Sequence, residues 1–529
     1  MKILTASQMA EVDRLTTEQY RIPSILLMEN AGRSFAEELA KASPGLENKN
    51  TVIFCGGGNN GGDGLVVARY LALRGSKPTI LLCTDPARLK GDALTNWEIA
   101  LAMRLPVQIL PTPAVAKAYL RKAAAPDVVV DALFGTGLSK PIGPDFKIFV
   151  DWINRASSRS FVASVDIPSG LRADSALIQG PAVRAHLTVT FSAFKLAHIV
   201  PPAADLAGRV VLVGIGSPPA LFDNPDYHFN LIDPAQVRKA LPRRARDSHK
   251  GSFGHLHVVA GSRGKSGAAL MTGFAALRSG SGLVTLWLPS SLQRSVVGKF
   301  PELMTEFLPE TNEGTAARAG AEKVLAQLTQ SDALVLGPGL STQPSTKSLV
   351  GELVRRSPVP VVLDADGINA FAQPADPPQN EMGQPVVLTP HPGEMARLTG
   401  KKTAEVQKDR LQTARDFAAR HQCHVVLKGF QTVIATPEGD CFINSTGNPG
   451  MASGGTGDIL AGIAGRFAAG WNLQRAAHAG SSLADYISAA VYVHGLAGDL
   501  AAEDIGEESL VATDLLAQLP RAFKKIMTS

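Results

Sequence analysis

Twice along this chain, short apolar segments alternate with helical stretches, and a proline-punctuated interval separates the two series. The first series has apolar segments at 51–55, 79–83, 127–133, 161–165, 187–191 and 210–213. The second has them at 255–260, 283–288, 333–336, 359–364, 386–389 and 425–428. Such alternation predicts parallel sheets covered by helices on both faces, with ligands beyond the carboxyl ends of the strands. The pattern lapses between Ser217 and Gly251, where Pro218, Pro219, Pro225, Pro234 and Pro242 fall, so the domain boundary is expected there. Two three-layer α/β/α domains are predicted. The two series share no motif order, so no internal repeat is read.

Length agrees: 529 residues exceed what one core fills. Hydrophobic residues make up 45% and charged ones 19%, below the usual value of about 25%. That composition describes a buried globular protein and argues against disorder. The net charge of +5 and one short basic cluster (Arg243, Arg244, Arg246) are too little for a nucleic-acid footprint. Cys55, Cys83, Cys423 and Cys441 lack metal-ligand spacing and suit a reducing cytosol. The start, Met1–Thr5, carries no signal-peptide core, and no apolar run spans a bilayer, so a cytoplasmic location without membrane contact is expected.

Thr5 and Gln8 form a capping-box signature for a first helix, and Pro23-Ser24 opens a second. The run Gly56-Gly57-Gly58-Asn59-Asn60-Gly61-Gly62-Asp63-Gly64 lies between a strand and a helix expected from about Leu65. Its glycines allow close backbone approach, and a helix start offers free N–H groups to an anion. Gly56, Gly58 and Gly61 satisfy a dinucleotide-binding pattern, yet the loop is unusually polar for one, and a bare glycine turn would look similar. Asp131–Gly137 and Ser164–Gly170 end two further strands. Three polar strand ends together offer hard oxygens for a cation and an acid–base group. A lone Asp there would more often be a helix cap.

Leu27-Met28-Glu29-Asn30-Ala31-Gly32, the 59–64 loop, Asp131–Gly137 and Val165–Gly170 occur in order and closely resemble the NAD(P)H-hydrate epimerase (YjeF N-terminal) family over about residues 1–220. The resemblance implies a Rossmann-like epimerase domain. Substrate contacts would come from Asn59, Asn60, Gly61, Gly62 and Asp63, and from Gly135, Thr136, Gly137, Leu138, Ser139, Lys140 and Pro141. It also implies potassium held by Asn60, Asp131 and Ser169, with Asp166 as the acid–base residue facing substrate.

In the second half, Asn448–Gly462 places several glycines before a helix expected from about Asp458, so backbone N–H groups converge on an anion. Asp458 would act there as a base or metal ligand, or would merely cap the helix. Gly454-Gly455-Thr456-Gly457-Asp458 resembles the ribokinase-like anion hole. With Gly450-Met451-Ala452, Leu388–Glu394, Gly337–Leu340, Asp364–Gly367 and Lys428-Gly429 it looks like the ADP-dependent NAD(P)H-hydrate dehydratase (YjeF C-terminal) family over about residues 235–527. Ser453 stands where threonine is expected and keeps the hydroxyl. The resemblance implies that Lys428, Gly429, Phe430, Gln431, Thr432 and Gly457 contact ADP, with magnesium as the metal. Ala268, Gly339, His391 and Asp458 would face the hydrated nucleotide, although a histidine between prolines could simply order a loop. Gly264-Lys265-Ser266 fails as a phosphate-binding P-loop because Val259 stands where glycine is required.

Together the resemblances imply repair of NADHX and NADPHX. One domain would interconvert the R and S epimers at C6, and the other would dehydrate the S form at the expense of ADP. Asp166 would handle protons at C6, and Asp458 would assist departure of the hydroxyl. A homo-oligomer is expected. The competing classes are a small-molecule kinase using Asp458 as base, a non-catalytic nucleotide sensor, and a dehydrogenase.

Overall fold

The computed structural model describes residues 1–241, 244–372, 379–475 and 482–528. Pro242 and Arg243, read above as part of the boundary segment, lie outside the described residues. The chain divides into two compact units, Lys2–Tyr227 and His228–Ser529, the latter with Met1. Among the described residues no helix is long and apolar enough to cross a membrane.

The amino-terminal unit is a seven-stranded, all-parallel sheet with strand order 107–109, 77–82, 50–55, 128–132, 161–165, 187–191, 209–213. Alternate residues of Asn50–Cys55 face opposite layers. Ile53 and Cys55 pack with Phe35 and Leu65 on one face, and Phe54 packs with Phe149 and Trp152 on the other. The chain reverses direction across the sheet between 50–55 and 128–132, so the strand ends carrying the glycine run and Asp131 flank the crevice where such sheets bind ligands.

In the carboxy-terminal unit the strands run in the order 229–231, 441–443, 433–435, 424–427, 386–388, 361–363, 333–336, 255–259, 283–289, 304–308. All neighbours are parallel except the meander 424–427, 433–435, 441–443. Leu256, Val258 and Val335 face one core, and Val259, Leu334 and Leu336 the other. The long helices Thr456–Gln474 and Leu483–Ile505 cover the first face with Ser266–Arg278.

Two expectations need correcting. Helix Asn59–Leu73 begins six residues before Leu65, so the asparagines and Asp63 form its first turns rather than a loop. Glycine there is needed for packing: a Cβ on Gly61 would stand 2.0 Å from the Gly56 carbonyl oxygen, and one on Gly64 2.7 Å from Ala132 Cβ. Helix Thr456–Gln474 likewise starts ahead of Asp458, after Gly455 at φ 96°. The strands 107–109, 229–231, 433–435 and 441–443 carry three residues each, too short for a period to register, and 304–308 is an edge strand with polar residues.

Candidate active sites

At the carboxyl edge of the amino-terminal sheet lies a cavity of about 570 Å³. Asp166 follows strand Phe161–Val165 in the left-handed region, φ 61°, a conformation that a non-glycine residue adopts at a cost and that recurs at functional positions. Its Oδ1 accepts from Lys195 Nζ at 2.6 Å and from Thr190 Oγ1 at 3.0 Å. Lys195 is 1% exposed and also donates to Thr190 Oγ1 and the Phe191 carbonyl. Burial pushes the Asp166 carboxyl up, but the charge and hydrogen bond of Lys195, helped by the Thr190 hydroxyl, outweigh it and hold the carboxyl below its usual range. Burial pushes the His198 imidazole down to about 3, so it is neutral beside them.

Asp63 and Asp13, which also face this cavity, form no ion pair among the described residues. Burial, then the charges of Asp166 and Asp13, push Asp63 well up. Burial pushes Asp13, on the first helix, up to about 6, and its Oδ1 has no partner. One cavity thus holds an ionised Asp166 and acids that retain protons far more readily.

Asp131 is fully buried at the end of its strand. Its oxygens accept from Ser169 Oγ at 2.6 Å, Ser169 N at 2.8 Å and Ser164 Oγ at 2.9 Å. Burial raises this carboxyl, and the hydrogen bonds only partly offset the rise. Asn60 is 8% exposed, its Nδ2 has no partner, and its Oδ1 lies against Gly135. Asn60, Asp131 and Ser169 therefore offer oxygens only, with one carboxylate, a donor set that fits a hard monovalent cation.

Of the predicted substrate contacts, Asn59, Asn60, Asp63, Gly135, Thr136, Gly137, Leu138 and Asp166 line the cavity. Gly61 and Gly62 do not: both are packed against protein, and Gly62 N–H donates to the Gly58 carbonyl. Ser139, Lys140 and Pro141 are exposed outside it. Sequence reasoning missed Lys195, His198 and Asp13. Lys195 had a signal, a single cation inside the apolar stretch Phe194–Ile199, whereas Asp13 looks like any acidic position on a surface helix.

In the carboxy-terminal unit a second cavity, of about 460 Å³, is lined by all six predicted nucleotide contacts: Lys428, Gly429, Phe430, Gln431, Thr432 and Gly457. Its 428–432 loop is held from beneath by Arg410, which donates to the carbonyls of Phe430 at 2.5 Å, Leu427 at 3.1 Å and Gln431 at 3.3 Å. Gly429 at φ 144° lies against that guanidinium, where a Cβ would stand 3.0 Å from Arg410 Cζ. Opposite, His494 Nε2 meets the Thr456 carbonyl at 2.9 Å, and burial pushes that imidazole down to about 4, so it serves as a neutral donor.

Lys428 joins this cavity to the acidic strand ends. Its Nζ lies 2.6 Å from Asp364 Oδ1 and 3.9 Å from Glu394 Oε2. Burial pushes the ammonium down, but Asp364 and Glu394 outweigh it and raise it. Burial, then Asp364, push Asp458 up to about 6 against the pull of Lys428. Asp366 contacts Lys265 at 3.3 Å, and Gly339 lies against Ala268 and Lys265, so the predicted Ala268, Gly339 and Asp458 border one charged edge. His391 caps helix Pro392–Thr399: its Nδ1 accepts from Gly393 N at 3.0 Å, and its half-exposed ring keeps Nε2 3.5 Å from Glu394. Among the described residues no group of three His, Cys, Asp or Glu could hold a metal by itself.

Comparison with known proteins bears on both units. Residues 24–197 match the family described as YjeF-related protein N-terminus, and residues 256–521 match NAD(P)H-hydrate dehydratase. The bifunctional NAD(P)H-hydrate repair enzyme Nnr of Moorella thermoacetica is 42% identical over 99% of this chain and 97% of its own. The protein of the same name from Thermofilum pendens is 40% identical with the same coverage of each. Among solved structures, the ADP/ATP-dependent NAD(P)H-hydrate dehydratase of Bacillus subtilis, co-crystallised with ATP and Mg²⁺, is 34% identical at a TM-score of 0.47. It covers 56% of this chain and 98% of that one.

Proposed function

The chain belongs to the family of bifunctional NAD(P)H-hydrate repair enzymes, and from that premise we propose which of its residues carry each half of the repair. It epimerises R and S NAD(P)HX and dehydrates the S form to NAD(P)H at the expense of ADP. We assign the epimerase to residues 1–220 and the dehydratase to 235–527.

In the epimerase cavity, inversion at C6 requires the C6–O bond to break and re-form on the opposite face, with the ring nitrogen lone pair assisting. The departing oxygen needs a proton, which Asp63, whose carboxyl burial pushes well up, can supply. Asp166, kept ionised by Lys195, takes the proton from the water that returns. Asn59, Asn60 and the Gly135–Leu138 loop bind the phosphates, with Lys140 at the loop's exposed end. Asn60, Asp131 and Ser169 would hold potassium, which supplies a fixed positive charge that orders these loops. The observation that carries this reading is the buried Lys195–Asp166 pair set among proton-retaining acids.

In the dehydratase, hydroxide is a poor leaving group, which accounts for the need for ADP. The C6 hydroxyl attacks the terminal phosphorus of ADP, AMP departs, and Asp458 takes the hydroxyl proton. The ring nitrogen then expels phosphate, and loss of a C5 proton restores the C5–C6 double bond. Lys428–Thr432 and Gly457 hold ADP, while Ala268, Gly339 and His391 face the nicotinamide nucleotide. With no metal cage formed by the described residues, magnesium would arrive on the diphosphate and supply charge neutralisation there. Four free, buried cysteines support a reducing cytoplasm. Association into a homo-oligomer is tested by light scattering.

The deciding experiment follows NADH absorbance when mixed R and S NADHX are given to the enzyme with potassium and magnesium, with and without ADP. Full ADP-dependent recovery is expected, whereas a dehydratase alone would leave the R epimer. Replacing potassium by lithium should slow only the R-derived phase. No recovery with ADP or ATP would discard this reading in favour of a small-molecule kinase.

A further inference from the structure

Helix Ser266–Arg278 ends in the turn Ser279, Gly280, Ser281, which leads into strand Leu283–Pro289. The turn therefore lies at the amino end of that strand, the opposite edge of the parallel sheet from Lys428 and Asp458. Two guanidinium groups converge on it. Arg244 donates from Nη2 to the Gly280 carbonyl at 3.0 Å and lies 3.8 Å over the Phe253 ring. Arg466 comes from the middle of helix Thr456–Gln474, about 15 Å along its axis from the anion hole at 1.5 Å per residue.

A Cβ on Gly280 would stand 2.7 Å from Arg244 Nη2 and 3.7 Å from Arg466 Nε, so both cations reach one point. Among the described residues neither pairs with a carboxylate. Arg466 is only 9% exposed and its Nε has no partner. Burial and then the neighbouring Arg244 charge push that guanidinium down to about 10. The hydroxyls of Ser279 and Ser281, on either side of Gly280, are buried and also unpartnered. Like charges brought together with spare donors and no acid leave a buried cation uncompensated, which is costly unless an anion joins them.

We propose that Arg244, Arg466 and the Ser279–Ser281 turn bind a phosphate-type oxyanion at a site separate from both active-site cavities. The planar guanidinium fork suits phosphate oxygens, and the serine hydroxyls supply further donors. None of these residues lines the nucleotide cavity. The test supplies phosphate both as the free ion and as a nucleotide's phosphate ester.

The test is thermal unfolding of the full chain as inorganic phosphate replaces chloride at constant ionic strength, in wild type, Arg466→Met and Arg244→Met. A ligand that binds only the folded state raises Tm. A saturable rise in wild type that both variants lose is expected, with NADHX epimerisation and dehydration retained in each. Phosphate held in the nucleotide cavity would add a rise common to all three proteins. Repeating the series with AMP separates the sources. An arginine-dependent rise with AMP shows that phosphate esters are accepted, and its absence with AMP assigns the free ion. Arg244 is exposed, so its variant decides alone if Arg466→Met does not fold. No rise with phosphate, or an equal rise in all three proteins, would overturn the proposal.

Discussion

Lys195 Nζ sits 2.6 Å from Asp166 Oδ1 with both side chains buried, and among the described residues neither forms another ion pair. Breaking a buried pair leaves one charge uncompensated. In Lys195→Met the Asp166 carboxyl should rise out of its depressed range and stop serving as a base at neutral pH. Epimerisation should fall roughly 100- to 10,000-fold, the range general-base catalysis contributes. NADHX recovery checks this within one trace: the S-derived phase keeps its rate while the R-derived phase nearly disappears. A normal second phase would remove Lys195 from the mechanism.

Two glycines of the same run should respond in opposite ways. A Cβ on Gly61 meets the Gly56 carbonyl oxygen at 2.0 Å, while one on Gly58, at φ −106°, meets nothing within 4 Å. Gly61→Ala should force helix Asn59–Leu73 off its strand and cost about 3 kcal/mol or more, in the range of severe overpacking. Gly58→Ala should leave Tm nearly unchanged. Paired denaturant curves measure both.

That contrast marks what could be read without coordinates. The strand–helix alternation and the order of the motifs located both cavities, because period and punctuation are local properties. Why Gly61 is glycine is not local: its reason is a carbonyl five residues back, brought close only once the helix starts at Asn59. Asp13 and Arg410 were invisible for a related cause. Each acts through a group far away in sequence, and each looks alone like an ordinary charged residue. His391 was legible as part of a motif, but its capping bond to Gly393 emerged only with the helix it starts.

Arg410 should matter to nucleotide binding without touching the nucleotide. Its guanidinium satisfies three carbonyls in 427–431, and burial already pushes it down to about 10. Arg410→Met leaves those carbonyls unpaired, at about 1–3 kcal/mol for each that stays buried. The loop should loosen, raising the KM for ADP about tenfold or more by the 1.4 kcal/mol-per-decade rule. Epimerisation, in the other unit, should be unchanged. Steady-state kinetics in ADP decides, and an unaltered KM would mean the loop is held by other contacts.

Asp458 offers a test in which activity and stability move in opposite directions. Burial and the nearby Asp364 raise its carboxyl from 3.8 to about 6, so the folded chain holds this proton more tightly than the unfolded one. Folding stability is therefore lost as pH rises from 3.8 through about 6, and the cost persists above that. At 1.36 kcal/mol per unit the cost reaches about 3 kcal/mol at neutral pH. Asp458→Asn, which carries no charge, should raise stability by up to that amount at pH 8, and the gain should shrink as pH is lowered. Catalysis runs the other way. A base must be ionised, so wild-type dehydration should fall as pH drops through about 6. Asp458→Asn should lose dehydration at every pH while epimerising normally. If Asp458→Asn were both more stable and fully active, the residue would be a spectator in the first turn of its helix, and the proton of the C6 hydroxyl would have to leave by another route.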